Sequence, residues 1–172
     1  MPTHSRSPVP PAVRAALPVL LAFAALVLHD VAVAAVRDIY PAPERAHADL
    51  ANALQSAAAT HRRVLVDFGG DWCTDCHVLD LYFHDAANGP LLEAAYVLVH
   101  VNVGHMDQNL DIAERYEIPL KKGVPALAVL DSDGKLIYSQ KTGEFEAMRR
   151  MQSGAVTEFL TRWKPAAGRH AD

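Results

Sequence analysis

Apolar residues recur along this chain with two alternating periods, and each change of period marks a new structural element. A spacing of three to four residues indicates helices, and short runs of β-branched residues indicate strands. Strands separated by helices favour parallel pairing, and the turn at residues 131–134 joins the last two strands in an antiparallel hairpin. The sequence therefore predicts an α/β fold with a mixed central sheet flanked by helices. The predicted helices cover residues 43–60, 73–82, 108–116 and 154–163, and the predicted strands cover residues 64–68, 96–103, 126–130 and 135–139.

The first 34 residues carry the pattern of a secretory signal peptide. Arg6 and Arg14 precede an apolar run at residues 15–28, and Ala32-Val33-Ala34 has the small residues of a cleavage site. The run is shorter than the roughly 20 residues that a membrane-spanning helix needs. We therefore expect residues 1–34 to be removed, no membrane insertion afterwards, and a periplasmic or secreted protein.

The remaining chain has the composition of one globular domain. Hydrophobic residues make up 51% of the sequence and charged residues 21%. We expect a domain over residues 35–164, with a core at about 62–163 after an extra N-terminal helix, and a flexible tail at 165–172. The net charge of −4 provides no basic surface for a nucleic-acid partner.

The only two cysteines, Cys73 and Cys76, form a C-x-x-C motif directly before His77. A bridge that closes so short a loop stabilises a fold little, which makes a purely structural disulfide a poor explanation. The motif follows a predicted strand and Gly69-Gly70, at the start of a predicted helix. A helix N-terminus stabilises a thiolate, so the context suits disulfide exchange.

Two other interpretations use the same cysteines. C-x-x-C-H is also the attachment motif of a c-type haem, with His77 as one axial ligand. The strand-rich surroundings do not resemble a small helical cytochrome. Cys73 and Cys76 with a histidine are also suited to Cu(I) or zinc, as in a metal chaperone. However, the nine histidines are scattered, and His100 is more typical of an interior histidine than of a ligand.

The motifs together resemble the thioredoxin superfamily. Residues 66–68, followed by Asp71-Trp72-Cys73 and Cys76, match its strand and active-site signature, and Gly123-Val124-Pro125 matches its cis-proline loop. The similarity is strongest to periplasmic thioredoxin-like proteins and to the C-terminal domain of DsbD-type reductases. It covers about residues 62–163 and implies the thioredoxin fold with thiol–disulfide oxidoreductase activity.

The resemblance assigns catalytic roles to three residues. Cys73 is implied to be the attacking thiolate and Cys76 the resolving thiol. Asp67 lies inside an apolar strand, where a charged carboxylate is costly to bury. In the family, a matching carboxylate accepts the proton of the resolving cysteine.

The resemblance also implies a substrate-binding surface made by three residues. Trp72 would shield the cysteines, although a core aromatic is an equally good interpretation of it. A cis bond between Val124 and Pro125, against the usual trans preference, would turn the backbone of Val124 towards the cysteines. An extended client chain could then pair with that backbone like an added strand.

The direction of electron flow is suggested by the acidic residues near the motif. Asp71, Asp75 and Asp80 surround the cysteines, and His77 is the only cation that the sequence places nearby. Carboxylates oppose thiolate formation, which favours a reductase or isomerase over a disulfide-forming oxidant. The expected partners are cysteine-containing clients and a membrane electron donor, with no cofactor besides the redox-active disulfide. Residues 141–152 form either a partner surface or a segment packed against the core.

Overall fold

The computed structural model describes residues 38–166, so the expected signal peptide and most of the expected tail lie outside the described residues. All strands and long helices that the sequence predicts are present. The helices are α1 (Ala46–Thr60), α2 (Thr74–Phe83), α3 (Gly89–Ala95), α4 (Leu110–Arg115) and α5 (Ser153–Trp163), and the strands are β1 (Arg63–Gly69), β2 (Tyr96–Asn102), β3 (Ala126–Leu130) and β4 (Leu136–Ser139). Short 3₁₀ turns lie at Pro43–Arg45, Leu120–Lys122 and Met148–Arg150.

The four strands form one mixed sheet in the order β2-β1-β3-β4. The parallel pairing expected for strands separated by helices is found between β1 and β2, where Asp67 lies opposite His100. Strand β3 instead runs antiparallel to β1, so Ala126 at its start lies opposite Phe68 near the end of β1. Because of this direction, the chain that precedes β3 lies at the same end of the strands as the cysteines. Strand β4 completes the predicted antiparallel hairpin.

Helices cover both faces of the sheet. One buried cluster joins α1 to the sheet through residues such as Leu50, Val66 and Val101. The other joins α2 and α5 to the opposite side chains of the strands, including Leu79 and Phe159. The fold is therefore the mixed α/β architecture that the sequence predicts.

Two helix starts differ from the sequence prediction. No helix was predicted between residues 83 and 107, but helix α3 begins at Gly89, because the following proline is well suited to a first helical turn. The last helix was predicted to begin at residue 154, directly after Ser153. Ser153 is instead the first helical residue, and Gln152 precedes it without a side-chain capping bond.

Residues 141–152 pack against the core. Phe145 and Met148 are buried, and the Phe145 ring meets the ring of Phe159 edge to face. Their apolar side chains therefore do not form an exposed partner surface. Between residues 38 and 166, no helix is long and apolar enough to cross a membrane.

Candidate redox site

The two cysteines lie where β1 passes through a tight turn into α2. The backbone N–H of Cys73 donates to the carbonyl of Gly70 at 2.9 Å, which closes the turn. Cys73 then occupies the N-cap position of α2, and its Sγ accepts a hydrogen bond from the backbone N–H of Cys76 at 3.2 Å. The pair is joined as a disulfide with Cα atoms 5.3 Å apart. The N-terminal N–H groups of a helix favour negative charge on a sulfur at this position.

The two sulfurs differ in their access to solvent. Cys73 is 7% exposed, whereas Cys76 is completely buried. A client sulfur can therefore reach Cys73 more easily than Cys76. This asymmetry fits an attacking cysteine followed by a resolving cysteine.

The segment before β3 forms the other side of the site. The Val124–Pro125 bond is cis, as the resemblance implies. The carbonyl oxygen of Val124 lies 3.5 Å from Sγ of Cys73. The backbone of Val124 is therefore next to the more accessible sulfur.

Asp67 is buried beneath the site and is bonded to two side chains that come from other segments. Its Oδ2 accepts a 2.7 Å hydrogen bond from the hydroxyl of Tyr40 and lies 2.9 Å from Nδ1 of His100. Its Oδ1 has no hydrogen-bond partner among the described residues. A buried carboxylate with one oxygen unpartnered is unusual outside functional sites.

Tyr40 and His100 were not predicted as parts of this site. Burial raises the pKa of Tyr40 well above its ordinary value, and the charge of Asp67 raises it further. Burial lowers the pKa of His100, but the hydrogen bond and charge of Asp67 outweigh burial and leave it raised. His100 was interpreted as an interior histidine, and its side chain is mostly buried, 16% exposed, and paired with Asp67. In the sequence, the predicted parallel pairing of the two strands that become β1 and β2 was the one indication that His100 lies beside Asp67.

Trp72 is a surface residue of the site and not a core aromatic. Its side chain is 47% exposed. Its Nε1 donates to the carbonyl of Gly104 at 2.6 Å, and its ring stacks on that of His105. The indole is therefore held in place beside the cysteines while one face stays open to solvent.

The acidic residues near the cysteines have partners that the sequence did not reveal. Asp75 accepts hydrogen bonds from the backbone N–H and the guanidinium of Arg149. Burial raises the pKa of Asp75, but Arg149 outweighs burial and leaves it below its ordinary value. Asp71 accepts hydrogen bonds from the backbone N–H groups of Ile39 and Tyr40. The expectation that His77 is the only cation near the motif is therefore wrong, because Arg149 reaches it from a distant segment.

Two observations describe the surroundings of the cysteines with respect to the haem and metal interpretations. Nε2 of His77 lies 2.8 Å from the carbonyl oxygen of Asp71, within hydrogen-bond distance. In the described part of the chain, no group of three histidine, cysteine or carboxylate side chains is placed to hold a metal ion. The geometry at Cys73 and Cys76 is that of a dithiol–disulfide centre.

Comparison with known proteins agrees with this geometry. A family model described as thioredoxin-like matches residues 45–132. The thiol:disulfide interchange protein DsbD of Pseudomonas fluorescens is 32% identical over 123 residues, which are 67% of this chain and 18% of DsbD. The chain thus spans less than a fifth of that relative. The crystal structure of a disulphide isomerase from Xylella fastidiosa Temecula1 is 33% identical, with a TM-score of 0.71, and the match covers 74% of this chain and 98% of the isomerase.

Proposed function

The chain belongs to the thioredoxin-like family of thiol–disulfide oxidoreductases, and we propose that it reduces or isomerises disulfides in exported proteins through Cys73 and Cys76. The observation that carries this proposal is the position of Cys73. It caps helix α2, it is the more accessible sulfur, and it lies 3.5 Å from the carbonyl oxygen of Val124.

The proposed reaction has two exchange steps. The thiolate of Cys73 attacks one sulfur of a client disulfide, forms a mixed disulfide, and the second client sulfur leaves as a thiolate. Cys76 then loses its proton and attacks Sγ of Cys73. The bond between the two cysteines forms, the bond to the client breaks, and the first client sulfur leaves. Two electrons have then passed to the client, and the chain is in its disulfide form.

The electrostatic surroundings support reduction or isomerisation more than oxidation. A strong oxidant needs a highly stabilised thiolate in its reduced form. Here Asp67, Asp71, Asp75 and Asp80 place four carboxylates around the site, and the charge of only one of them, Asp75, is offset by an arginine. This excess of negative charge disfavours the thiolate of Cys73 and makes the reduced pair a better electron donor.

The client would bind across Val124 and Trp72. An extended chain that carries the disulfide would pair with the backbone of Val124, while the exposed face of Trp72 would contact its side chains. Recognition through backbone groups is largely independent of sequence. The proposed clients are therefore cysteine-containing proteins as a class.

Export and partners are proposed from the sequence of the first 34 residues. A reductase in an oxidising compartment must be re-reduced after each cycle, so a membrane electron donor is the proposed partner. The exchange itself needs no cofactor beyond the disulfide of Cys73 and Cys76. Intact mass, a visible spectrum and metal analysis of the exported protein test this, since a haem or a bound metal ion would contradict it.

The test is equilibration of the purified chain with a series of glutathione redox buffers. A reductase or isomerase is expected to have a potential more negative than about −180 mV, whereas a strong oxidant lies near about −120 mV. Cys76→Ser should accumulate mixed disulfides with client proteins, because the attack succeeds and the resolution fails. Cys73→Ser is the matched control and should not. Equal trapping by the two variants, or sulfurs that are inert towards glutathione, would refute the proposal.

A further inference from the structure

The segment before α1 contributes directly to the surroundings of the buried cysteine. A methyl group placed on Gly69 would lie 2.6 Å from Cζ of Tyr40 and 2.7 Å from Sγ of Cys76. The ring of Tyr40 and Sγ of Cys76 therefore both border the space that a side chain on Gly69 would occupy. The hydroxyl of Tyr40 also donates to Asp67. Tyr40 thus lies next to both the sulfur that must lose a proton and the carboxylate that can take it.

The position of Tyr40 is fixed by hydrogen bonds on either side of it. The backbone N–H groups of Ile39 and Tyr40 donate to Asp71 at 2.7 and 3.3 Å. The side-chain amide of Asn102 donates to the carbonyl of Pro41 at 3.0 Å. Tyr40 is only 4% exposed, so its hydroxyl is shielded from bulk water. A shielded hydroxyl that bonds to the carboxylate and packs beside Gly69 on the same side as Sγ of Cys76 is placed to pass a proton between them.

His100 connects the same carboxylate to the surface. Its Nδ1 lies 2.9 Å from Oδ2 of Asp67, and its ring meets that of Tyr40 edge to face. The partly exposed ring borders a surface hollow that Pro41, Arg45 and Asp49 also line. His100 is therefore the member of the cluster from which a proton can reach solvent.

We propose that Tyr40, Asp67 and His100 form a proton path through which Cys76 is deprotonated when it resolves the mixed disulfide. This inference rests on the proposed function and assigns two residues that lie outside its cysteine motif. The thiol of Cys76 gives its proton to the hydroxyl oxygen of Tyr40 as Tyr40 gives its own proton to Asp67. The thiolate attacks Sγ of Cys73, the bond between Cys73 and the client breaks, and the departing client thiolate takes a proton from solvent.

The path is then restored through the histidine. The proton passes from the carboxyl group of Asp67 to the unprotonated Nδ1 of neutral His100, and Nε2 at the other side of the ring releases its proton to solvent. Exchange of the ring protons with solvent then returns His100 to its starting tautomer. The high pKa of Tyr40 agrees with a hydroxyl that gives up its proton only while it accepts another. The other charged groups that face the path are Asp71 after β1, Asp80 on α2, and the ion pair between Arg45, just before α1, and Asp49 in its first turn.

The experiment measures the reactions of the two cysteines as two separate kinetic phases. The reduced chain is mixed with dithiobis(nitrobenzoate), a small aromatic disulfide whose released thiolate absorbs visible light. The first thiolate is released when Cys73 attacks, and its rate rises with reagent concentration. The second is released when Cys76 attacks the mixed disulfide, and its rate does not depend on reagent concentration. The first phase tests the proposed function, and the second tests the proton path.

Tyr40→Phe keeps the buried ring and removes the hydroxyl. We expect it to slow the second phase by roughly tenfold to a hundredfold, since positioned proton transfer contributes at least that much, and to leave the first phase unchanged. Tyr96→Phe is the matched control, because the Tyr96 hydroxyl is equally buried but bonds to the carbonyl of Leu160. A second phase at the wild-type rate in Tyr40→Phe, or an equal slowing of both phases, would overturn the proposal.

His100→Asn is the second variant and keeps the proposal testable if Tyr40→Phe does not fold. An asparagine amide can still bond to Asp67, but it cannot carry a proton. In the wild type, we expect the second phase to slow as pH falls through the raised pKa of His100. His100→Asn should lose this low-pH decline and be slower at neutral pH. An unchanged pH profile would refute the path, whereas a wild-type chain without a first phase would refute the proposed function.

Discussion

Asp75, which lies between the two cysteines, is held by Arg149, a residue 74 positions further along the chain. The guanidinium meets both carboxylate oxygens of Asp75 at 3.1–3.2 Å. The buried side chains of Phe145 and Met148 fix the segment that carries Arg149. Residues 141–152 therefore act on the redox site through charge, although the site lies in another part of the sequence.

Arg149→Ala is expected to make the reduction potential more negative. Without the guanidinium, the charge of Asp75 destabilises the thiolate of Cys73 and therefore the reduced form. The shift should be roughly 5–20 mV, because a partly exposed ion pair contributes about 0.2–1 kcal/mol and 30 mV corresponds to about 1.4 kcal/mol. Glutathione equilibration measures it. Lys141→Ala is the control, since Lys141 also forms an exposed ion pair, with Glu117, and is not among the charges that act on Asp75. A positive shift in Arg149→Ala would contradict this account.

Stability is expected to depend on the protonation of His100. The pKa of His100 is raised in the folded protein, so the protonated ring stabilises the fold. That contribution is complete below the ordinary histidine pKa of about 6.5. It is lost as pH rises through the folded-state pKa. Urea unfolding of the wild type should show a free energy of unfolding that declines over this range, and His100→Asn should remove that decline. Parallel curves for the two proteins would contradict the prediction.

Gly69→Ala is expected to destabilise the fold and disturb the site together. A side chain at Gly69 would overlap the ring of Tyr40 and the sulfur of Cys76, both of which are buried. Overpacking of this kind costs about 1–3 kcal/mol. Gly154→Ala is the control, because a side chain there meets nothing within 4 Å. Thermal unfolding of both variants should show a loss for Gly69→Ala only, and equal stability would contradict the packing described here.

Trp72→Ala is expected to weaken client binding without slowing the resolving step. The indole is half exposed and held by Gly104 and His105, so its removal takes away contact surface and leaves the buried cysteine untouched. The KM for a protein disulfide should rise roughly tenfold, which corresponds to about 1.4 kcal/mol. Leu81→Ala removes another exposed apolar side chain, further along α2, and should leave KM unchanged. A slower second phase with dithiobis(nitrobenzoate) in Trp72→Ala would contradict this role.

The sequence was sufficient to predict the parts of the site that lie within local motifs. Cys73 and Cys76 follow a strand and a glycine pair, Asp67 interrupts an apolar run, and Pro125 precedes a strand. Each of these signals falls within a few residues of the element that positions it. The mixed sheet could be predicted for the same reason, because every strand is a short β-branched or apolar run.

The residues that the sequence did not reveal come from distant segments. Tyr40 is 27 residues before Asp67 and Arg149 is 74 residues after Asp75, and neither lies in a recognisable motif. Their contacts depend on tertiary packing. The reversed direction of β3 also could not be inferred, because a helical connection between strands is compatible with either direction. Helix α3 was missed because Gly89-Pro90 is typical of a turn as well as of a helix start.

The family match begins at residue 45, five positions after the tyrosine that touches Asp67. A shortened protein that starts at that boundary would retain all four strands and both cysteines. It would also expose a buried carboxylate to water and leave Asp71 without the two backbone donors that it binds. Such a protein would still look like an intact thioredoxin-like domain by its circular dichroism, yet it would have lost the tyrosine that bonds to Asp67.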